Sequence, residues 1–221
     1  MGKVGRAALL LDDDDGLREG LTWMFESADI PVHSYSEFEV FRKELHVHLH
    51  TYPALCLVLA LRMPTISGLE VFDWLKREEV NLDRLPVIFL TGHGDISTAV
   101  EAVKNGAFDF YEKPATDQRL VERVQQALEH SFESLGKQQI DQELKRRLNK
   151  LSRREREVMD LVAKGTLNKV IAADFKISMR TVEVHRSKVF EKFEVRSAAE
   201  LATLLSQMGW ELPADHLSGL E

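Results

Sequence analysis

The 221-residue chain contains one cysteine, Cys56, and no long run of apolar residues. A single cysteine cannot form an intramolecular disulfide, so we expect Cys56 to be a small core residue of a protein in a reducing compartment. The longest apolar run, Ala54 to Leu61, is far shorter than the roughly 18 residues that cross a bilayer, and no secretory apolar region follows Met1. We therefore expect a cytoplasmic protein with no membrane partner.

Composition and charge divide the chain into two parts. With 44% hydrophobic and 29% charged residues, the chain has material for one medium core and one small core, which predicts two domains. Between residues 148 and 211 there are 12 Lys or Arg and 9 Asp or Glu, a net charge of +3 that leaves −10 for the rest. Contact with a polyanion, if it occurs, is therefore expected in this rear segment.

Five short apolar runs in the front part alternate with segments of helical spacing. This rhythm predicts an α/β fold with a doubly wound, five-stranded parallel sheet covered on both faces. The runs are Ala7 to Leu11, Pro31 to Tyr35, Leu55 to Ala60, Val87 to Leu90 and Ala107 to Phe110.

Helix-boundary signals fall between these runs. Ser36 and Glu39 have the spacing of a capping box, Asp95 and Asp117 are predicted helix caps, and Gly106 is predicted to end a helix.

Polar residues are predicted to gather where the strands end. In open parallel sheets the reactive site lies beyond the carboxyl ends of the strands. Clustered carboxylates need a compensating cation, for which Mg²⁺ is well suited, while a hydroxyl and an ammonium can hold phosphoryl oxygens. An aspartate at position 60 would complete a site that accepts a phosphoryl group, but the residue there is alanine. The predicted strand-end residues are Asp12, Asp13, Ala60, Thr91 and Lys113.

These motifs resemble the receiver domain of bacterial response regulators over about residues 3–128. The resemblance rests on two acids after the first strand, Leu-Arg-Met-Pro-x-x-Ser-Gly after Ala60, Thr-Gly-His-Gly-Asp from Thr91, and Phe-x-x-Lys-Pro from Phe110. It implies that Asp12 and Asp13 bind Mg²⁺ weakly and that Ala60 replaces the phosphorylated aspartate. It also implies a cis peptide before Pro114, and it assigns the phosphorylation switch to Thr91, Phe110 and Lys113.

Alanine at position 60 leaves two explanations open. The chain is either a regulator that naturally works without phosphorylation or an engineered variant from which the acceptor was removed. We favour the engineered variant, because a disused pocket would have no reason to keep every partner residue when most surface changes are nearly neutral. A Mg²⁺-dependent phosphohydrolase using Asp12 and Asp13 lacks a nucleophile, so we predict that the chain is not an enzyme.

Three histidines between Arg42 and His50 are a weaker candidate for a metal site. His46 and His50 would share one face of a helix, and His46, His48 and His50 would share one face of a strand. A structural metal site usually has four ligands, so we favour the interpretation that these histidines lie at a surface helix end and loop.

Past Leu128 the strand pattern stops. We predict a receiver domain at 1–128, a helical or partly flexible linker at 129–147 that Gly136 interrupts, a helical domain at 148–212 and a tail at 213–221. Within the helical domain, helices are predicted to follow the caps Ser152, Asn168, Ser178 and Ser197.

The third of these helices ends near Phe193. Together with the shorter helix that follows Asn168, it forms a helix-turn-helix pattern. Val182, Val189, Phe190 and Phe193 fall on the packing side. The opposite side combines cations, acids and an apolar residue, which suits base edges in the major groove: Arg180, Glu183, Val184, Ser187, Lys188 and Glu191. By its phase alone, the helix could equally be an ordinary solvated amphipathic helix of a bundle. The predicted DNA-binding residues are Lys169, Arg180, Glu183, Val184, Arg186, Ser187 and Lys188, with Arg153 and Lys192 as further phosphate contacts.

Three motifs in this domain resemble the LuxR-type DNA-binding domain: Leu-Ser-x-Arg-Glu-Arg-Glu-Val from Leu151, Asn-Lys-x-Ile-Ala from Asn168, and Ile-Ser-x-Arg-Thr-Val-Glu-Val-His-Arg from Ile177. With the receiver in front, the whole chain is similar to the FixJ-type response regulators. The resemblance implies a transcription regulator, which we interpret as an activator, with promoter DNA, a sensor histidine kinase and RNA polymerase as partners.

That family binds DNA as a homodimer through its last helix, which implies a dimer contact here at Ser197, Leu201, Leu204 and Leu205. The alternative is a protein-interaction module, in which the receiver docks a partner and the rear domain dimerises without reading DNA.

Overall fold

The computed structural model describes residues 5–92, 96–113 and 118–210. The chain divides into two compact units, Met1–Lys137 and Gln138–Glu221. No helix in the described ranges is both long enough and apolar enough to cross a membrane.

The first unit alternates strands and helices around one parallel sheet, which confirms the predicted fold class. The sheet order is β2-β1-β3-β4-β5, and each neighbouring pair of strands is parallel. The elements are β1 (Arg6–Leu11), α1 (Asp15–Ser27), β2 (Val32–Tyr35), α2 (Phe38–Thr51), β3 (Ala54–Ala60), α3 (Gly68–Arg77), β4 (Val87–Thr91), α4 (Ile96–Lys104), β5 (Asp109–Glu112) and α5 (Gln118–Asn149).

Alternate residues of the central strands face opposite layers of helix. Leu9, Leu57 and Phe89 pack on the layer that holds α2 and α3, whereas Leu10, Val58 and Ile88 pack on the layer formed by α1 and α5. Because both faces of the sheet are covered, β3 is buried along its whole length.

The second unit is all helical in its described part. Its helices after α5 are α6 (Arg153–Ala163), α7 (Asn168–Phe175), α8 (Met179–Phe193) and α9 (Ala198–Gln207). The predicted caps Ser152, Ser178 and Ser197 each accept a backbone hydrogen bond at a helix start.

Asn168 does not cap α7, contrary to our prediction. The N-cap is Leu167, and the Asn168 side chain instead accepts a hydrogen bond from Arg186 at 3.1 Å. The predicted box of Ser36 and Glu39 is also absent, because α2 starts after Glu37 without a side-chain cap and Glu39 pairs with Arg42. The predicted caps Asp95 and Asp117, the peptide before Pro114 and the tail lie outside the described residues.

The predicted linker is part of a single helix of 32 residues, α5, which continues through Gly136. The predicted interruption at Gly136 is therefore wrong. The second unit begins at Gln138 because Leu144 and Leu148, near the end of α5, belong to its core. Gly106 does follow the end of α4, with a φ of +103° that a residue with a side chain rarely adopts.

Candidate functional site

The carboxyl ends of four strands meet at one edge of the sheet in the first unit. β3 lies between β1 and β4, so Ala60 lies between the ends of those two strands. Backbone hydrogen bonds continue past the strand ends, from Leu61 N–H to the Leu90 carbonyl at 2.8 Å and from Lys113 N–H to the Thr91 carbonyl at 2.7 Å. The backbones of Ala60, Thr91 and Lys113 are thereby held in neighbouring strands, as predicted.

Asp12 and Lys113 form the central ion pair of this edge. Lys113 Nζ donates to Asp12 Oδ2 at 2.7 Å, and the Asp12 side chain has no exposed surface. The second carboxylate oxygen, Oδ1, accepts the Asp14 N–H at 3.0 Å. Both oxygens of Asp12 are thus engaged within the protein, and its buried charge is neutralised.

The three aspartates that follow Asp12 have different roles. Asp13 is exposed, Asp14 caps α1 by accepting the Leu17 N–H at 3.0 Å, and Asp15 pairs with Arg18. From the sequence, we assign Asp12 and Asp13 to a metal site and give no role to Asp14 or Asp15. The position of Asp14, just ahead of a helix, carries the usual signal of an N-cap.

The predicted switch residues surround this ion pair only in part. Thr91 is 1% exposed, and its hydroxyl donates to the Gly92 carbonyl at 2.9 Å. Phe110 is partly buried against the core on the side of α2 and α3. Ala60 is fully buried and contributes only a methyl group to the edge.

Receiver domains generally bind Mg²⁺ in such an acidic pocket, but with Ala60 the pocket of this chain keeps Asp12 and Asp13 as its predicted carboxylate ligands and lacks a third. Mg²⁺ requires near-octahedral oxygen coordination, usually with one or two carboxylates. Both oxygens of Asp12 already accept a hydrogen bond, Ala60 supplies no side-chain oxygen, and the described residues include no group of three or more His, Cys, Asp or Glu that could hold a metal ion.

The three histidines of α2 also do not form one site. His48 is buried and hydrogen-bonds Tyr35 Oη at 2.5 Å, whereas His46 and His50 are exposed. His50 Nδ1 lies 2.7 Å from the carbonyl oxygen of His46. His48 therefore faces the sheet and away from the other two. The predicted surface position holds for His46 and His50 but is wrong for His48, and α2 stays helical through Thr51.

α8 of the second unit has one packed side and one open side. Val182, Val189 and Phe193 are fully buried, and Phe190 is partly buried against the same core. The opposite side consists of exposed residues, including an apolar one, Val184, at 48% exposure. The exposed set is Arg180, Glu183, Val184, Ser187, Lys188 and Glu191, as the helical phase predicts.

α7 and α8 are joined by a tight turn at Lys176, which adopts a left-handed conformation with φ +53°. Arg186 of α8 connects the two helices, because its guanidinium donates a hydrogen bond to the Asn168 side chain of α7. The same guanidinium lies 5.1 Å from the centre of the Phe190 ring. Arg186 thus has a role in packing that its sequence pattern did not reveal. It stabilises the angle at which α8 is presented.

The residues predicted to contact phosphate differ in their exposure and in their ion pairs. Lys169 is exposed near the start of α7, and the Arg153 side chain is 95% exposed, although it pairs with Glu157 at 3.1 Å. Lys192 is held by Glu155 at 2.6 Å. We therefore withdraw Lys192 as a phosphate contact, because an ion pair inside the domain already uses its charge.

The predicted dimer contact requires a correction. Leu201 and Leu205 of α9 are buried in the core of their own unit, at 0% and 2% exposure, and Leu204 is partly buried against the same core. These side chains are needed to pack α9 on its own domain. Ser197 caps α9 by accepting the Glu200 N–H at 3.1 Å. Leu201 and Leu205 therefore cannot form an intermolecular contact in the folded domain.

Comparison with known proteins agrees with both halves of this description. Residues 8–125 match the family model of the response regulator receiver domain, and residues 149–205 match that of bacterial regulatory proteins of the luxR family. The chain is 36% identical over 203 residues to the transcriptional regulatory protein FixJ of Bradyrhizobium diazoefficiens, covering 90% of this chain and 94% of the relative. It is 39% identical over 206 residues to FixJ of Azorhizobium caulinodans, with coverage of 93% and 94%.

Among solved structures, the response regulator StyR is similar with a TM-score of 0.78 and 34% identity, covering 92% of this chain and 99% of that one. These matches extend across both units. The chain therefore belongs to the FixJ-type response regulators of bacterial two-component systems, which are transcriptional regulators with a LuxR-type DNA-binding domain.

Proposed function

We propose that this chain regulates transcription by binding promoter DNA through the exposed side of α8, with a receiver that cannot be phosphorylated at position 60. The single observation that carries the DNA-binding part is the exposed face of α8, opposite a side buried by Val182 and Val189. A helix of 15 residues that is free on one side can enter the major groove.

The chemistry of this face supports sequence reading. Arg180 can donate a bidentate pair of hydrogen bonds to guanine, Glu183 can accept from cytosine, and Val184 can contact a thymine methyl group. Lys169 and Lys188 supply charge for backbone phosphates, which position the domain without reading sequence.

A selection of bound genomic fragments followed by fluorescence anisotropy tests this proposal. We expect Arg180→Ala to weaken binding to the selected site about tenfold or more, in line with a base contact worth roughly 1–3 kcal/mol. Lys188→Ala should weaken binding to selected and unrelated DNA alike and reduce the salt slope by about one. Lys145→Ala is the matched control, since Lys145 is exposed on α5 outside this face.

Unchanged affinity of both α8 variants would refute the assignment of the groove-facing side. Failure of the chain to select any fragment would instead favour the alternative of a protein-interaction module. A palindromic selected site would support a homodimer on DNA, because the symmetry of an operator mirrors that of the protein.

For the receiver, we propose that Ala60 stands where the phosphoryl group is accepted, and that the chain is an engineered non-phosphorylatable variant. Support comes from its place between the ends of β1 and β4, with Thr91 and Lys113 in the next strands. A methyl group contains no nucleophile. A regulator that natively works without phosphorylation is the alternative, and the codon for residue 60 in the native gene decides between them.

The corresponding experiment is the restoration of the acceptor. We expect Ala60→Asp to be labelled by acetyl phosphate, whereas the parent chain is not. If Ala60→Asp remains unlabelled while folded, the phosphate-accepting assignment is wrong. A cognate sensor kinase is the expected partner of the form with an aspartate at position 60. RNA polymerase is the expected partner on promoter DNA, and activation of transcription is the expected output.

A further inference from the structure

We infer that Lys113, and not a divalent cation, neutralises Asp12, so that this receiver is indifferent to Mg²⁺. The inference concerns the first unit alone and does not rest on the proposed DNA binding. It starts from the disagreement between the metal that receiver domains generally bind and the donor atoms that this chain offers.

The first reason is that both carboxylate oxygens of Asp12 already accept a hydrogen bond within the protein. Oδ2 accepts from the Lys113 ammonium at 2.7 Å and Oδ1 accepts from the Asp14 amide at 3.0 Å. A cation that bound Asp12 would have to displace the ammonium. The displaced charge would then lie close to a dication and repel it.

Arg18 is a second cation close to Asp12. Arg18 donates from Nη1 to the main-chain carbonyl of Asp12 at 2.7 Å, and its side chain is 15% exposed. The Arg18 and Lys113 cations thus flank Asp12 from α1 and from the end of β5. Arg18 also pairs with Asp15, so the ammonium of Lys113 is the cation that competes with a metal ion at the Asp12 carboxylate.

The remaining donors do not compensate for this. Ala60 offers no oxygen, and Asp13 is exposed to solvent, where a single carboxylate retains a hydrated Mg²⁺ ion only weakly. The buried charge of Asp12 is therefore neutralised by Lys113 without metal. We expect one conformational state of the receiver whether Mg²⁺ is present or not, since a ligand shifts an equilibrium only by its differential affinity.

Thermal unfolding and calorimetric titration of the full chain test the inference. The parent chain should show no rise in Tm with MgCl₂ beyond that produced by NaCl at equal ionic strength, and no binding heat. Ala60→Asp is the positive control: it returns the third carboxylate, so its Tm should rise with Mg²⁺. A Mg²⁺-specific rise in Tm of the parent chain would overturn the inference.

The role of Lys113 is tested separately. Lys113→Gln leaves Asp12 without its counter-ion, so Tm should fall in the absence of metal and should be partly restored by MgCl₂. Lys104→Gln, at an exposed site on α4, should change neither value. If folded Lys113→Gln shows no response to Mg²⁺, the role assigned to Lys113 is wrong.

Lys113→Arg keeps the positive charge and covers the case in which Lys113→Gln does not fold. The Arg variant should remain indifferent to Mg²⁺. A gain of Mg²⁺ binding by this variant would overturn the inference, because the charge that is said to exclude the metal would still be present. DNA binding takes no part in these readouts, so the proposed function stands or falls independently.

Discussion

Lys192 and Glu155 form an ion pair that ties α8 to the first turn of α6, with Nζ 2.6 Å from Oε2. Glu155 is 4% exposed and also accepts the Ser152 N–H at 2.7 Å as part of a capping box. Lys192 donates further to the Lys150 carbonyl at 2.9 Å. One lysine therefore fixes the C-terminal half of α8 on the start of α6.

Removal of this lysine should destabilise the second unit. We expect Lys192→Met to lower the free energy of unfolding by about 1–3 kcal/mol, because it leaves a buried carboxylate without its cation. Hydrogen exchange at the amides of α6 and α8 measures the loss. Lys188→Met, one turn earlier on the exposed side of α8, is the control and should change exchange little. Equal effects of the two variants would contradict the role of the ion pair.

The same pair predicts a dependence of stability on pH. The hydrogen bond from Lys192 lowers the pKa of Glu155 from 4.5 to about 2 in the folded unit. Its stabilising contribution is then complete above pH 4.5 and is lost as pH falls toward 2, since the unfolded chain binds the proton first. Unfolding of the second unit should be acid-sensitive in this window. Glu155→Gln should reduce that sensitivity, and an unchanged pH profile would contradict the assignment.

The strands and the open side of α8 could be predicted because each depends on local periodicity. Buried strands require unbroken apolar runs, as in β3, and the phase of a helix separates Val182 from Lys188 without any knowledge of its neighbours. Strand-end residues such as Thr91 could be grouped because parallel strands end at one edge.

What could not be predicted depends on contacts between distant residues. The ion pair of Asp12 with Lys113, 101 positions apart, leaves no trace in the local pattern. Leu201 and Leu205 have the same spacing whether they pack inward or against a second molecule, and only the three-dimensional core assigns them inward. Asn168 resembles a cap by type, but the position of Arg186 determines its bond.

A buried histidine should make the first unit sensitive to mild acid. His48 packs between His33 and Tyr35 of β2, with Glu44 3.8 Å away on α2 and the Tyr52 ring beyond. Burial, followed by repulsion from His33, lowers its pKa below the ordinary 6.5, an effect that Glu44 opposes only in part. The unfolded chain therefore binds the proton more readily. Stability is complete above pH 6.5 and should decline as pH falls below that value.

Protection factors of the α2 amides, measured from pH 7 downward, test this prediction. His48→Gln removes the titrating ring and should flatten the decline, whereas His46→Gln, at an exposed position of the same helix, should preserve it. If His48→Gln declines as steeply as the parent chain, another group is responsible.

Gly68, the first residue of α3, should tolerate no side chain. A Cβ atom at this position would lie 2.3 Å from the carbonyl oxygen of Ala60, and the Gly68 N–H donates to the Leu61 carbonyl at 2.9 Å. The start of α3 therefore lies directly against the end of β3. We expect Gly68→Ala to lower the free energy of unfolding by about 1–3 kcal/mol, because backbone has to move to relieve the overlap.

Gly20→Ala is the matched control for this effect. Gly20 lies inside α1, and a Cβ atom there would meet no heavy atom within 4 Å. The same substitution should therefore stabilise the first unit by about 0.5–1 kcal/mol, as expected from the lower backbone entropy cost of alanine in a helix. Opposite signs for the two variants in denaturant unfolding would show that the contact with Ala60 is the cause. A stabilising Gly68→Ala would mean that α3 does not begin against the end of β3.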